Sequence, residues 1–92
     1  MNTKKLTRVL KALANERRLK IICLLKKEEI TVSELSEELK VSIKSVSKHL
    51  QKLEREGVVK RKHVNKYVYY RLTDSFRKSG IHRQIINSDR IK

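Results

Sequence analysis

The chain has 92 residues, with 24 Lys and Arg against 10 Asp and Glu and a formal net charge of +14. A length of this order predicts one domain over 1–92; no apolar run approaches the ~18 residues a membrane span needs, and the single cysteine excludes an intrachain disulfide. What remains is a small cytoplasmic domain, without a secretory signal, whose positive field attracts phosphate backbones or other anionic surfaces.

Leu6, Val9, Leu10 and Leu13 fall at i, i+3, i+4 and i+7, which predicts a first helix over about 3–14. Asn15 caps a second helix, about 16–27, with Glu16 favourable at its positive end. Leu19, Ile21, Ile22, Cys23, Leu24 and Leu25 make that helix apolar enough for the centre of the domain. Cys23 reads as a small core residue. Thr31-Val32-Ser33-Glu34 is a capping box opening a third helix over 32–39, with Val32, Leu35 and Leu39 inward. Lys40-Val41-Ser42 is a turn. Ser42 caps a fourth helix over 43–56 whose buried stripe is Val46, Leu50 and Leu53, and Gly57 closes it in a left-handed conformation.

Residues 58–64 and 67–72 are rich in β-branched and aromatic side chains and read as two strands joined near Asn65, which tolerates positive φ. On the second strand Val68, Tyr70 and Leu72 share one face, and Tyr67, Tyr69 and Arg71 the other. Thr73-Asp74 caps a last segment, 74–90, with Phe76, Ile81, Ile85 and Ile86 as its apolar positions and Gly80 as an interruption. The expected fold is mainly α with a small β hairpin, in the order α-α-α-α-β-β-α.

Two short helices joined by a three-residue turn, residues 32–56, make a helix-turn-helix, and the hairpin at 58–72 stands where a wing would. The second helix of such a pair lies in the DNA major groove and reads base edges with its N-terminal residues. With Val46, Leu50 and Leu53 inward, the outward early positions are Lys44, Ser45, Ser47 and Lys48. Lysine bonds guanine O6 and N7, and serine donates or accepts at most bases. Ser42, Ser45 and the backbone N–H groups at the helix start suit a phosphate. Lys62, His63 and Lys66 are assigned to backbone contacts by the wing. Charge follows the same division: residues 44–71 carry nine basic side chains against two acids, whereas 28–38 hold five of the ten acids. The competing readings are an architectural DNA coat and an interaction module of a larger complex. An enzyme is not expected: there is no Gly-rich phosphate loop and no nucleophile beside a base.

The stretches LKALANERRLKIICLL (10–25), ITVSELSEELKVSIKSVSKHLQKLEREGVV (30–59) and NKYVYYRL (65–72) resemble the winged helix-turn-helix of the ArsR-type transcriptional regulators. The resemblance implies a homodimer formed through the first and last helices, and repression through a palindromic operator. It places Leu6, Val9, Leu10, Leu13, Ile81, Ile85 and Ile86 at the dimer interface. Apolar segments at the chain ends have little left to cover in so small a domain, unless they pack on each other within one chain. Metal-sensing members of the family place cysteines at the start of the helix before the recognition helix; Thr31 and Ser33 stand there in this chain. Other members bind metal through the last helix, where Asp74, His82 and Asp89 lack the needed spacing. No metal site and no cofactor are therefore expected. Lys40 takes a turn position often given to Gly, and Ile43 a position usually polar and near DNA.

Overall fold

The computed structural model describes residues 2–81 and 83. The elements run α1 (Thr3–Leu13), α2 (Glu16–Lys27), β1 (Ile30–Thr31), α3 (Val32–Leu39), α4 (Ile43–Arg55), β2 (Val59–Val64), β3 (Tyr67–Leu72) and α5 (Asp74–Lys78). Among the described residues, no helix is long and apolar enough to cross a membrane.

Local chemistry sets most of the boundaries. Each helix starts on a side-chain oxygen that accepts a backbone N–H three residues on: Asn2, Asn15, Thr31, Ser42 and Thr73. At α3 the box is complete. The Thr31 N–H and hydroxyl donate to Glu34 Oε1 at 3.0 and 2.9 Å, and the Glu34 N–H donates to Thr31 Oγ1 at 3.2 Å. These bonds hold the exposed Glu34 carboxyl below its ordinary range. At the end of α4 the Gly57 N–H donates to Glu54 O and the Val58 N–H to Leu53 O, both at 3.0 Å, with Gly57 at φ +75°. This closure is the reason β2 starts at Val59 and not at 58: the Val58 N–H is already committed to the helix. The end of α3 repeats the pattern with Lys40 at φ 56°, a left-handed position without glycine. Lys there costs on the order of 1 kcal/mol relative to Gly.

The sheet has three antiparallel strands in the order β1-β3-β2, one more than expected. The added strand is two residues, Ile30 facing Tyr70 and Thr31 facing Tyr69. Two residues carry no periodicity, so only the approach of β3 makes them a strand. β2 and β3 pair from Val59–Leu72 to Val64–Tyr67, leaving the turn Asn65-Lys66 with Asn65 at φ 55°.

The core is centred on Ile21, Ile22 and Leu25 of α2. Leu35 joins them from α3, Val46, Leu50 and Leu53 from α4, Val58 from the closure after it, and Val59, Tyr70, Leu72 and Phe76 from the sheet and α5. Cys23, Val32 and Leu39 are half-buried against this cluster, as expected for Cys23. Of the four α1 residues expected at a dimer interface, two pack into the chain's own core. Val9 and Leu13 are 2% and 5% exposed in their own chain. Ala12, fully buried, moves the buried arc of α1 toward Val9-Ala12-Leu13 and turns Leu6 and Leu10 to the rim, 36% and 48% exposed. Ile81 is likewise half-buried against its own core. The last segment does not continue as one helix: α5 stops at Lys78, and Gly80 takes φ +83°. Ile85, Ile86, His82 and Asp89 lie outside the described residues.

Candidate DNA-binding interface

Helix α4 divides cleanly by face. Val46, Leu50 and Leu53 are fully buried, while Lys44, Lys48, Gln51 and Arg55, on the opposite side at 3.6 residues per turn, are exposed. Ser45 and Ser47 are half-buried on the two flanks. The Ser42 hydroxyl accepts the Ser45 N–H at 3.1 Å, so the cap already uses that lone pair while Ser42 itself stays exposed. Among the described residues no carboxylate pairs with Lys44 or Lys48. The helical period alone would have added Gln51 to the outward set. Ile43, the first residue of α4, is 54% exposed.

The wing lies beside α4 and touches it through an ion pair. Arg61 Nε lies 3.2 Å from Glu54 Oε2, joining β2 to the flank of the helix that carries Ser47. An exposed pair of this kind contributes roughly 0.2–1 kcal/mol; the hairpin's placement rests on the pairing of β3 with β1 and on the buried Val59 and Leu72. Strand alternation puts His63 on the face of Arg61 and Lys62 on the opposite face. Lys62 Nζ is 3.8 Å from Glu29 on that other face. The three wing residues named from the sequence therefore divide between two surfaces. Lys66 sits in the turn, its ammonium 5.7 Å from the Tyr67 ring centroid, with Val64 and Tyr67 exposed beside it. Tyr70, by contrast, is buried in strand packing, and burial raises its pKa so that it stays protonated.

The other flank of α4 faces the first two helices. His49 is half-buried there; burial first, then the Arg18 and Arg17 charges, lower its pKa and hold the imidazole neutral. About two turns further on, Glu56 is 7% exposed, with Oε1 3.4 Å from Arg8 Nε. Lys5 Nζ donates to the Glu56 carbonyl at 3.0 Å, a cation at the negative end of α4. The chain's α1 thus grips the end of α4 through Lys5 and Arg8. Sequence spacing held no sign of it, because 51 residues separate Lys5 from Glu56.

The positions of the family's thiolate ligands do not fit a metal. The Thr31 hydroxyl is bound into the capping box, and Ser33 offers an exposed hydroxyl where a thiolate would be required. Among the described residues no three His, Cys, Asp or Glu side chains come together as an ion's ligands.

A helix-turn-helix of α3 and α4, an adjoining β2–β3 wing and an unpaired basic face define a winged-helix DNA-binding regulator. The family model described as "Bacterial regulatory protein, arsR family" matches residues 15–61. The chain is 42% identical over 74 residues to the transcriptional activator HlyU of Vibrio cholerae, covering 80% of this chain and 68% of that protein. Reduced HlyU from the same organism superposes with a TM-score of 0.81 at 38% identity, over 98% of this chain and 90% of that one. The homodimeric winged helix-turn-helix domain Mb0332 of Mycobacterium bovis, described as a possible ArsR-family regulator, gives 0.81 at 28% identity, over 96% and 82% of the two chains. The chain belongs to the arsR family of bacterial regulatory proteins. It is a DNA-binding transcriptional regulator, not an enzyme.

Proposed function

We propose that the chain acts as a homodimer that recognises a two-fold symmetric operator, with α4 in the major groove and the wing on the flanking backbone. The observation that carries this reading is the outward face of α4, where Lys44 and Lys48 stand exposed and unpaired beside the wing. In it Lys44, Ser47 and Lys48 contact bases or nearby phosphates, and Ser42 and Ser45 hold a phosphate at the helix start. His63 and Lys66 contact the backbone from the wing. Lys62 does so only after leaving Glu29.

The dimer half of the proposal rests on Leu6 and Leu10, exposed one turn apart on α1, and on the homodimeric state of Mb0332. Ile85 and Ile86 belong to the same proposed interface. The regulator works without a metal-sensing site and without a cofactor, and acts in the cytoplasm with the chromosome. Occupancy of an operator that overlaps a promoter makes it a repressor. HlyU is named an activator, so transcription in vitro on the selected operator, with and without protein, decides the sign.

Selection of bound sequences from a random duplex pool at physiological salt tests the reading. The expected result is a palindrome with half-sites one helical turn apart or a multiple of it. Binding should also fall with salt, at a slope of about −0.9 per phosphate neutralised. The net charge of +14 favours one rival, an architectural coat. A flat selection profile with an equally steep salt slope would establish that rival instead.

A further inference from the structure

Among the described residues Ile43 is the most exposed large hydrophobic side chain, at 54%. It stands three residues before Val46 and seven before Leu50, at the head of the buried stripe, yet reaches past the core into water. The first turn of a helix favours acidic and small polar residues, and isoleucine is a weaker helix former than the straight-chain residues. The first turn of α4 holds no acid at all. It presents Ser42, Ile43 and Lys44, with Ser47 one turn on from Ile43 and Lys48 one turn on from Lys44. An apolar side chain ringed by cations and hydroxyls does not suit a protein core, and one isoleucine is too little apolar area to hold a lipid surface. It suits a polyanion that carries an apolar group on its floor.

Duplex DNA has such a group. The thymine C5-methyl is the apolar feature of the major groove, and side chains at the start of a recognition helix reach that floor. We infer that Ile43 is a specificity-determining residue that packs on a thymine methyl next to the base or phosphate held by Lys44. This inference rests on the recognition-helix reading of α4. The β-branch serves the purpose: in a helix its χ1 is restricted largely to one rotamer, so little freedom is lost when the side chain meets the methyl.

The test uses the full chain and the selected operator. Each thymine of one half-site is replaced in turn by deoxyuridine, which removes the C5-methyl and leaves pairing and hydrogen-bonding groups unchanged. One position should weaken binding about fourfold, the value of one buried methyl. Ile43→Ala should bind the thymine and deoxyuridine operators equally at that position, with thermal unfolding little changed because the residue is exposed. Indifference to every deoxyuridine, or a fourfold loss that persists in Ile43→Ala, would overturn the inference. Lys44→Ala with Lys48→Ala distinguishes the underlying reading. If that variant loses operator affinity while deoxyuridine has no effect, only the Ile43 assignment falls. If its affinity is unchanged, the recognition-helix reading and the Ile43 assignment fall together.

Discussion

Helices α1 and α4 are both amphipathic and are tied together at Glu56, and both expose cations, yet only α1 also leaves two leucines in the water. The buried sides are alike: Val9, Ala12 and Leu13 on one, Val46, Leu50 and Leu53 on the other. The outward sides differ. α4 exposes Lys44, Lys48, Gln51 and Arg55, whereas α1 exposes Lys4, Thr7, Arg8 and Lys11 and adds Leu6 and Leu10 at its rim. The buried stripe decides where a helix lies. The residues it leaves outside bear on what it can meet; in the proposed function that is a polyanion for α4 and a second copy of the chain for Leu6 and Leu10 of α1. Lys5 and Arg8, reaching from α1 to the end of α4, make the placement of one helix depend on the other.

The largest effect is expected where the comparison finds the two helices alike. Leu50→Ala on the buried side of α4 should cost about 2–5 kcal/mol, read from denaturant unfolding, a large share of the total for a small domain. Next comes the outward side of α1. Leu6→Glu with Leu10→Glu should weaken self-association by at least roughly a hundredfold, since each buried unpaired carboxylate costs several kcal/mol. Sedimentation would show a monomer with unchanged helical circular dichroism. A dimer that survives both charges would remove α1 from the interface.

The outward side of α4 is expected to respond in the opposite sense. Lys44→Ala with Lys48→Ala should leave association unchanged and lower operator affinity about ten- to a hundredfold. If both lysines neutralise phosphate, the salt slope of a titration should also fall by about 0.9 for each. Lys40→Gly, in the turn that aims α4, should stabilise the domain by about 0.5–1 kcal/mol by relieving a left-handed lysine; a lower unfolding midpoint would contradict the strain.

The smallest effect is a pH dependence from the α2-facing flank of α4. The folded state holds His49 below its ordinary value of 6.5, chiefly by burial and then by Arg18 and Arg17. The unfolded chain therefore binds the proton more readily. The stability this residue contributes is complete above its ordinary value and declines as pH falls through that value toward the lowered one. His49→Gln should flatten that part of the profile, as measured by unfolding midpoints between about pH 5 and 8.

Read from sequence, α4 came out almost whole because its polar and apolar sides contrast. The cap Ser42, the stripe Val46-Leu50-Leu53, the closing Gly57 and the outward Lys44 and Lys48 all stand as expected. On α1 every leucine and valine looked equally available in the sequence, whereas the structure packs Val9 and Leu13 into the chain's own core. Periodicity does not rank positions within an apolar arc, and small, fully buried Ala12 set its centre. The wing fared similarly: its strands and turn were legible, but Lys62 and His63, adjacent in sequence, fall on opposite faces.

What the sequence determined by itself is what forms within a few residues. Helix caps, the capping box of Thr31 and Glu34, the left-handed stops at Lys40 and Gly57 and the two-residue hairpin turn are all closed by bonds between near neighbours. Tertiary structure alone decided the rest. It made Ile30 and Thr31 a strand by bringing them to Tyr70 and Tyr69. It buried Glu56 at the end of α4 against Arg8 and left Ile43 in the water at the head of α4. Those outcomes depend on which surfaces meet across long separations in the chain, and no local hydrogen bond or period encodes that choice.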